Sequence, residues 1–181
     1  EPVEGLRRAD VVVVTRTERV TTAALARLEA RVASLAPHAL RARARTVPRA
    51  LVRAVDGAEL PLRLLDGAAV FPWAGIGNPR AFEALLVDLG GRVVGRRFDR
   101  DHRAIGPGDA PAVARAARAL GASHVVVTRK DFVKLRACAP IPEEVVVLDV
   151  ELEVGPDADA LAAAVLGAAA PPGLSPTPRR P

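Results

Sequence analysis

The sequence predicts an α/β fold with a largely parallel sheet and flanking helices. Val11-Val12-Val13-Val14 and Val125-Val126-Val127 are unbroken β-branched runs, the composition of strands buried on both faces. Between such runs, apolar residues recur at spacings of three and four, the stripe of an amphipathic helix. The order β-α-(ββ)-β-α-β-α-β-α-β is that of crossover connections over a mostly parallel sheet. At 181 residues, the chain can bury the core of one domain or of a domain plus a tail.

Residues 9–15 form the first strand. Thr21 and Thr22 offer N-caps for a helix whose stripe is Leu25, Leu28, Val32 and Leu35, and Pro37 stops it. Residues 39–46 and 50–55 read as two short extended segments separated at Pro48, a small two-stranded element. Residues 68–73 form the next strand and run into Gly75-Ile76-Gly77-Asn78-Pro79. The following helix shows Phe82, Leu85, Leu86 and Leu89 on one face and ends at Gly90-Gly91. A strand over 93–98 follows, then a helix capped by Asp109 with Val113, Ala117 and Leu120 on its face. Residues 124–128 are a strand, 130–136 a short helix and 145–148 a last buried strand. Residues 1–154 are thus one α/β lobe. Residues 155–181 form an Ala/Pro-rich tail, helical over 157–168 and disordered over its proline-rich end.

Composition excludes some functions. Aromatic residues make up 3% of the chain, too few for base-stacking platforms on single-stranded nucleic acid. The net charge is +5, yet all the basic residues except Lys130 and Lys134 are arginines, a pattern of coding bias more than of a nucleic-acid surface. Arg41, Arg43 and Arg45 alternate on one strand face, either a solvated face or a contact for anionic lipid or phosphate. Cys138 is the only cysteine, so no intramolecular disulfide forms and a reducing compartment is compatible. No apolar run approaches the roughly 18 residues of a membrane span. A signal peptide is missing, and the start at Glu1 rather than Met suggests a processed or partial chain.

Three stretches carry chemical potential. Gly75–Pro79, between strand and helix, allows close approach to backbone amides and an anion at the helix start, or is a tight structural turn. It lacks the Gly-Lys-Ser/Thr end of a phosphate-binding P-loop. Asp101-His102 follows a strand end, where α/β proteins place chemistry. It is either an acid/base element or a surface loop paired to Arg96, Arg97 or Arg103, and the residues alone favour the loop. Asp99 lies beside it. Lys130 and Lys134 share one face of a helix whose start disfavours cations, which points to a wanted ammonium. His38 and His124 lack polar neighbours and read as structural, and no cluster has zinc spacing.

Taken in order, Glu1-Pro2 with Leu6-Arg7-Arg8-Ala9-Asp10, Ala74–Pro79, Phe82, Asp101-His102, Thr128, Lys130-Asp131 and Lys134 resemble the tetraacyldisaccharide 4'-kinase family of lipid A biosynthesis. The resemblance covers about residues 1–153. It implies a P-loop kinase-like α/β fold, of which this chain is the C-terminal portion. It also implies an ATP- and Mg2+-dependent transfer to the 4'-hydroxyl of a tetraacyldisaccharide 1-phosphate, the lipid A precursor. The setting implied is peripheral, at the cytoplasmic face of the inner membrane of Gram-negative bacteria. The P-loop, the metal-binding acids and the catalytic Asp of such kinases precede the region matched here. The fragment is therefore expected to be soluble and inactive, with ATP and Mg2+ held mainly by the other half and no metal ligand here. Under the resemblance, His102 with Asp101 is catalytic, His102 partnering the catalytic aspartate. Glu1 lies near nucleotide and metal, and Gly75, Gly77, Asn78, Lys130 and Asp131 line the substrate or nucleotide pocket. Arg129 stands where the family usually has Glu, and Arg103 where His or Gln is common. The alternative is a non-catalytic α/β domain that binds an anion at Gly75–Pro79 and acidic lipid on its arginines. Nucleic-acid binding rests on charge alone and is set aside.

Overall fold

The computed structural model describes residues 2–100, 103–138 and 140–169. In chain order its elements are β1 (Val11–Val14), α1 (Thr22–Leu35), β2 (Leu40–Arg53), β3 (Glu59–Leu60), β4 (Ala69–Ala74), α2 (Pro79–Asp88), β5 (Arg92–Val93), β6 (Arg97–Phe98), α3 (Asp109–Ala119), β7 (His124–Thr128), α4 (Arg129–Leu135), β8 (Val145–Val154) and α5 (Ala158–Ala169). They fall into two compact units, residues 1–47 with 152–181, and residues 48–151.

In the first unit, β1 pairs in parallel with the start of β2, Val11 opposite Leu40 and Val14 opposite Arg43. Helix α1 begins as its sequence predicts: the Thr21 side chain accepts the Ala24 N–H, meeting one of the first-turn donors a helix leaves open.

The second unit holds the candidate site. Its strands run β8-β7-β4-β5, with β6 also on β4, and these pairings are all parallel. The sheet is buried on both faces because successive side chains alternate. Phe71, Trp73, Val125, Val127, Val145 and Val147 pack with Val113 and Ala117 of α3 and Leu135 of α4. Val70, Ala74, Val126, Val146 and Leu148 pack with Phe82 and Leu86 of α2. Helix α2 opens on Asn78, whose Oδ1 accepts the Ala81 N–H at 3.1 Å, with Pro79 in the first turn. It closes in a Schellman turn: Gly90, at φ 85°, donates to Val87, and Gly91 donates to Leu86.

Four local expectations are corrected. Residues 39–53 are not two segments broken at Pro48, since β2 runs continuously from Leu40 to Arg53. Pro48 lies between the stretch paired to β1 and the stretch paired to β3, so its missing N–H costs neither a bond. The small antiparallel element is β2 with β3, Leu51 opposite Leu60. The strand predicted over 93–98 is two short pieces. Between the pairs Val70–Val93 and Trp73–Arg97, β4 spends two residues and its neighbour three, which is a bulge. Pro72 explains it. The carbonyls of Val70 and Ala74 accept from Val94 and Asp99, so Pro72 faces the same side and has no N–H to offer there. Gly95 fills the bulge because a Cβ on it would come within 2.9 Å of the Phe71 ring. Asp109 is the first residue of α3, behind an N-cap at Gly108. Finally, β8 continues past Leu148 to Val154, where polar and apolar residues alternate along an exposed ribbon.

Candidate functional site

Because β4, β6 and β7 are parallel, their C-terminal ends lie on one rim, where ligand crevices form in α/β sheets. Three loops leave this rim: Gly75–Asn78 after β4, Asp99–Gly108 after β6, and the Thr128 turn into α4. Asp131 ties two of them together. It is 3% exposed. Its Oδ2 accepts the Gly75 N–H at 3.1 Å and the Thr128 hydroxyl at 2.7 Å. The Thr128 Oγ1 in turn accepts the Asp131 N–H, capping α4. The other oxygen, Oδ1, is buried without a hydrogen-bond partner. Glycine leaves room opposite it, since a Cβ on Gly75 would lie a tight 3.2 Å from Oδ1. The same Cβ would lie 3.7 Å from the Arg100 carbonyl and 3.8 Å from the Asp99 Cβ, so the start of the loop after β6 also passes close to Gly75.

The β6 loop is bracketed by charges. Arg97 donates to Asp99 at 3.2 Å and to Asp109 at 2.9 Å. Arg103 donates to the same two carboxylates at 3.0 and 3.2 Å. The indole N–H of Trp73 donates to Asp99 at 2.9 Å, and the Arg97 guanidinium lies 5.3 Å from the Trp73 ring centre. Asp109 also accepts the Gly106 N–H. Together with the two arginines, this bond holds the Asp109 carboxyl down at about 2 against the opposing effect of burial. Burial pushes the Asp99 carboxyl up, but hydrogen bonds from Trp73 and Arg97 with the nearby arginine charges win, and its pKa is lowered. Sequence reasoning set Asp99 aside and did not see this ring. Its signal was the arginine–aspartate alternation at 97, 99, 103 and 109, after the single tryptophan of the chain.

Of the predicted site residues, Gly75, Asn78 and Asp131 meet at this rim. Gly77 is exposed, with open space where a Cβ would stand. Lys130 is exposed on α4 and Lys134 half-buried. Arg129, the departure from the family pattern, is held by Asp149 on β8, with its guanidinium 5.8 Å from the Phe132 ring. Arg96 binds Glu83, and Arg97 and Arg103 bind Asp99 and Asp109. Glu1, Asp101 and His102 lie outside the described residues, so their predicted roles are not located by geometry.

Elsewhere, the arginine stripe is largely neutralised. Arg41, Arg43 and Arg45 are exposed and alternate with buried Ala42 and Ala44, as the pattern predicts. Arg43 pairs with Glu29 of α1, and Arg45 with Glu153. The cleft of about 330 Å³ beside them is lined by Glu29 and Asp157 as well as Arg41 and Arg43, a poor electrostatic match for an anion. His124 is structural in surroundings, its Nδ1 buried and unpartnered, and burial lowers its pKa. Among the described residues, no cluster of three or more His, Cys, Asp or Glu could hold a metal ion, and none of the helices is long and apolar enough to cross a membrane.

A family model described as "LpxK: Tetraacyldisaccharide-1-P 4'-kinase" matches residues 1–170. The chain belongs to this family. A tetraacyldisaccharide 4'-kinase of Anaeromyxobacter sp. (strain K) is 36% identical over 100% of this chain and 48% of its own length. Its counterpart from Anaeromyxobacter sp. (strain Fw109-5) is 36% identical over 87% of this chain and 42% of its own. One from Halothermothrix orenii is 29% identical over 74% and 37% respectively. The chain thus spans about half the length or less of these curated relatives. Among solved structures, the "apo" form of LpxK from Aquifex aeolicus in complex with ATP matches with TM-score 0.53 at 19% identity, over 92% of this chain and 45% of that one. That likeness supports the predicted fold class, a mixed α/β sheet with flanking helices as in a P-loop kinase-like protein.

Proposed function

We propose that this chain supplies the C-terminal part of a kinase that transfers the γ-phosphate of ATP to the 4'-hydroxyl of a tetraacyldisaccharide 1-phosphate in lipid A biosynthesis. The observation that carries the reading is the interlock at the strand ends: Asp131 joins the Gly75 loop to the Thr128 turn, and Asp99 and Arg100 pass close to Gly75. Gly75 and Asp131, 56 residues apart in sequence, thereby meet at one rim, as a shared substrate site needs.

Phosphoryl transfer is mainly positioning and charge neutralisation. In this reading His102, with Asp101 beside it, partners a catalytic aspartate on the remainder of the polypeptide and tunes it as the base toward the sugar hydroxyl. Glu1 lies near nucleotide and metal. Gly75, Gly77, Asn78, Lys130 and Asp131 shape the pocket, with the Gly75 turn kept open by the absence of a Cβ and held in place by Asp131. Mg2+ would neutralise phosphate charge when bound with ATP. The described residues do not fit it: Asp131 is a lone buried carboxylate with one oxygen already engaged, whereas Mg2+ wants octahedral oxygen ligands. No step here runs through the metal.

Residues 1–181 alone are accordingly inactive, and the full-length polypeptide is active at the cytoplasmic face of the inner membrane, with the precursor presented by the membrane surface. The test is ATP-dependent phosphorylation of tetraacyldisaccharide 1-phosphate by each. Product from the full-length protein but not from the chain supports the reading; product from the isolated chain, or none from the full-length protein, contradicts it. The ion pairing of Arg43 and Arg45 weighs against the lipid-binding alternative.

A further inference from the structure

Arg97, Asp99, Arg103 and Asp109 form a closed ring of two guanidinium groups and two carboxylates, each arginine bridging both acids. The four residues run across the loop after β6: Arg97 opens β6, Asp99 and Arg103 lie in the loop, and Asp109 begins α3. Each anchor is itself fixed. Asp99 is bound by the indole of Trp73, a core residue 2% exposed, and Asp109 accepts the Gly106 N–H. Within the loop, Ile105 packs on the core, and its carbonyl accepts from the Cys138 thiol.

Stability alone does not call for this arrangement. Ion pairs whose arginines stay 27% and 39% exposed contribute modestly, and ordering two arginines has an entropic cost. What a ring of bridged pairs supplies is geometry, since a guanidinium fork fixes the spacing of two carboxylates in a way an ammonium cannot. Both acids stay ionised through neutral pH, because their pKa values are lowered.

We propose that the Arg97–Asp99–Arg103–Asp109 ring is a positioning device: it clamps both ends of the loop after β6 and so sets the placement of the catalytic loop against Gly75. The inference rests on the kinase reading above, in which that loop carries His102. The ring residues touch neither nucleotide nor acceptor; they are positioning residues.

Two variants isolate the role. Arg97→Lys keeps the charge but cannot bridge both acids. Asp109→Asn keeps an oxygen for the Gly106 N–H but loses the charge that both arginines seek. In the full-length kinase, each lowers kcat by about tenfold, with KM for ATP unchanged, in line with the cost of a small misplacement. Leu86→Ala, a core change on the other face of the sheet, lowers Tm without that kcat-selective loss. Amide hydrogen exchange on the same proteins gives a readout independent of catalysis, and exchange across residues 103–108 quickens about tenfold in both ring variants. The proposal is overturned if loop exchange is unchanged, or if kcat falls only in step with Tm as in Leu86→Ala. A full-length protein that phosphorylates nothing sinks the kinase reading instead, and the exchange data still decide whether the ring holds the loop.

Discussion

The two ends of β7 make an instructive pair, because each carries one buried polar atom without a partner: His124 Nδ1 at the start and Asp131 Oδ1 just past the end. The solutions differ. At the start, burial lowers the His124 pKa and favours the neutral ring, beside an open groove of about 820 Å³ lined in part by Arg118, Pro142 and Glu144. At the end, the carboxylate is bound through its other oxygen by an N–H and an O–H from two different loops. The first end avoids a charge; the second uses one to join loops. A strand tolerates the same defect at both ends, and at the C-terminal rim the buried carboxylate also fixes loop geometry, which is where function is expected.

The largest break in that comparison is Asp131→Ala. It leaves the buried Gly75 N–H and the Thr128 hydroxyl unmet and lowers unfolding free energy by about 2–3 kcal/mol, read from urea unfolding followed by the fluorescence of Trp73, the only tryptophan. Asp131→Asn, which keeps one acceptor, recovers part of the loss; an Ala variant as stable as the parent would show that the interlock holds nothing. Next is Gly75→Ala, whose new methyl meets Oδ1 at 3.2 Å and lowers stability by about 1–2 kcal/mol. Combined with Asp131→Ala the losses are less than additive, since the struck oxygen is gone.

How much of this was legible beforehand follows physical range. Helices α1 and α2, with Thr21 and Gly90 at their ends, were readable because caps and stripes are local chemistry. The Val runs were readable because double burial dictates composition. The bulge opposite Pro72 was not, because a missing N–H matters only once a neighbour is known. The same holds for Asp131: its partner Gly75 is 56 residues away, and sequence spacing carries no trace of that bond. The ring escaped for a similar reason, since its four members are near in sequence but a helix start and a core tryptophan decide their geometry.

Smaller effects sharpen the contrast. Arg129→Ala removes a largely exposed pair with Asp149 and costs no more than about 1 kcal/mol, in the same urea assay. The least is His124, which acts only through pH. Unfolded, it titrates near its usual value of about 6.5; folded, its pKa is lower. Its contribution is complete above the unfolded value and is lost as pH falls through the folded one, because the unfolded state takes up the proton first. His124→Gln therefore flattens the fall of stability on acidification, while an unchanged pH slope would show that its burial is not what sets it.

The most direct test compares the two histidines in the full-length kinase, by ATP-dependent phosphorylation of tetraacyldisaccharide 1-phosphate. His102→Ala is expected to lower kcat by about 100-fold or more, the scale of a catalytic base left without the partner that tunes it, with ATP affinity unchanged, and His124→Gln to leave turnover near that of the parent. A wild-type kcat in His102→Ala, or an equal loss in both variants, would contradict the role proposed for His102.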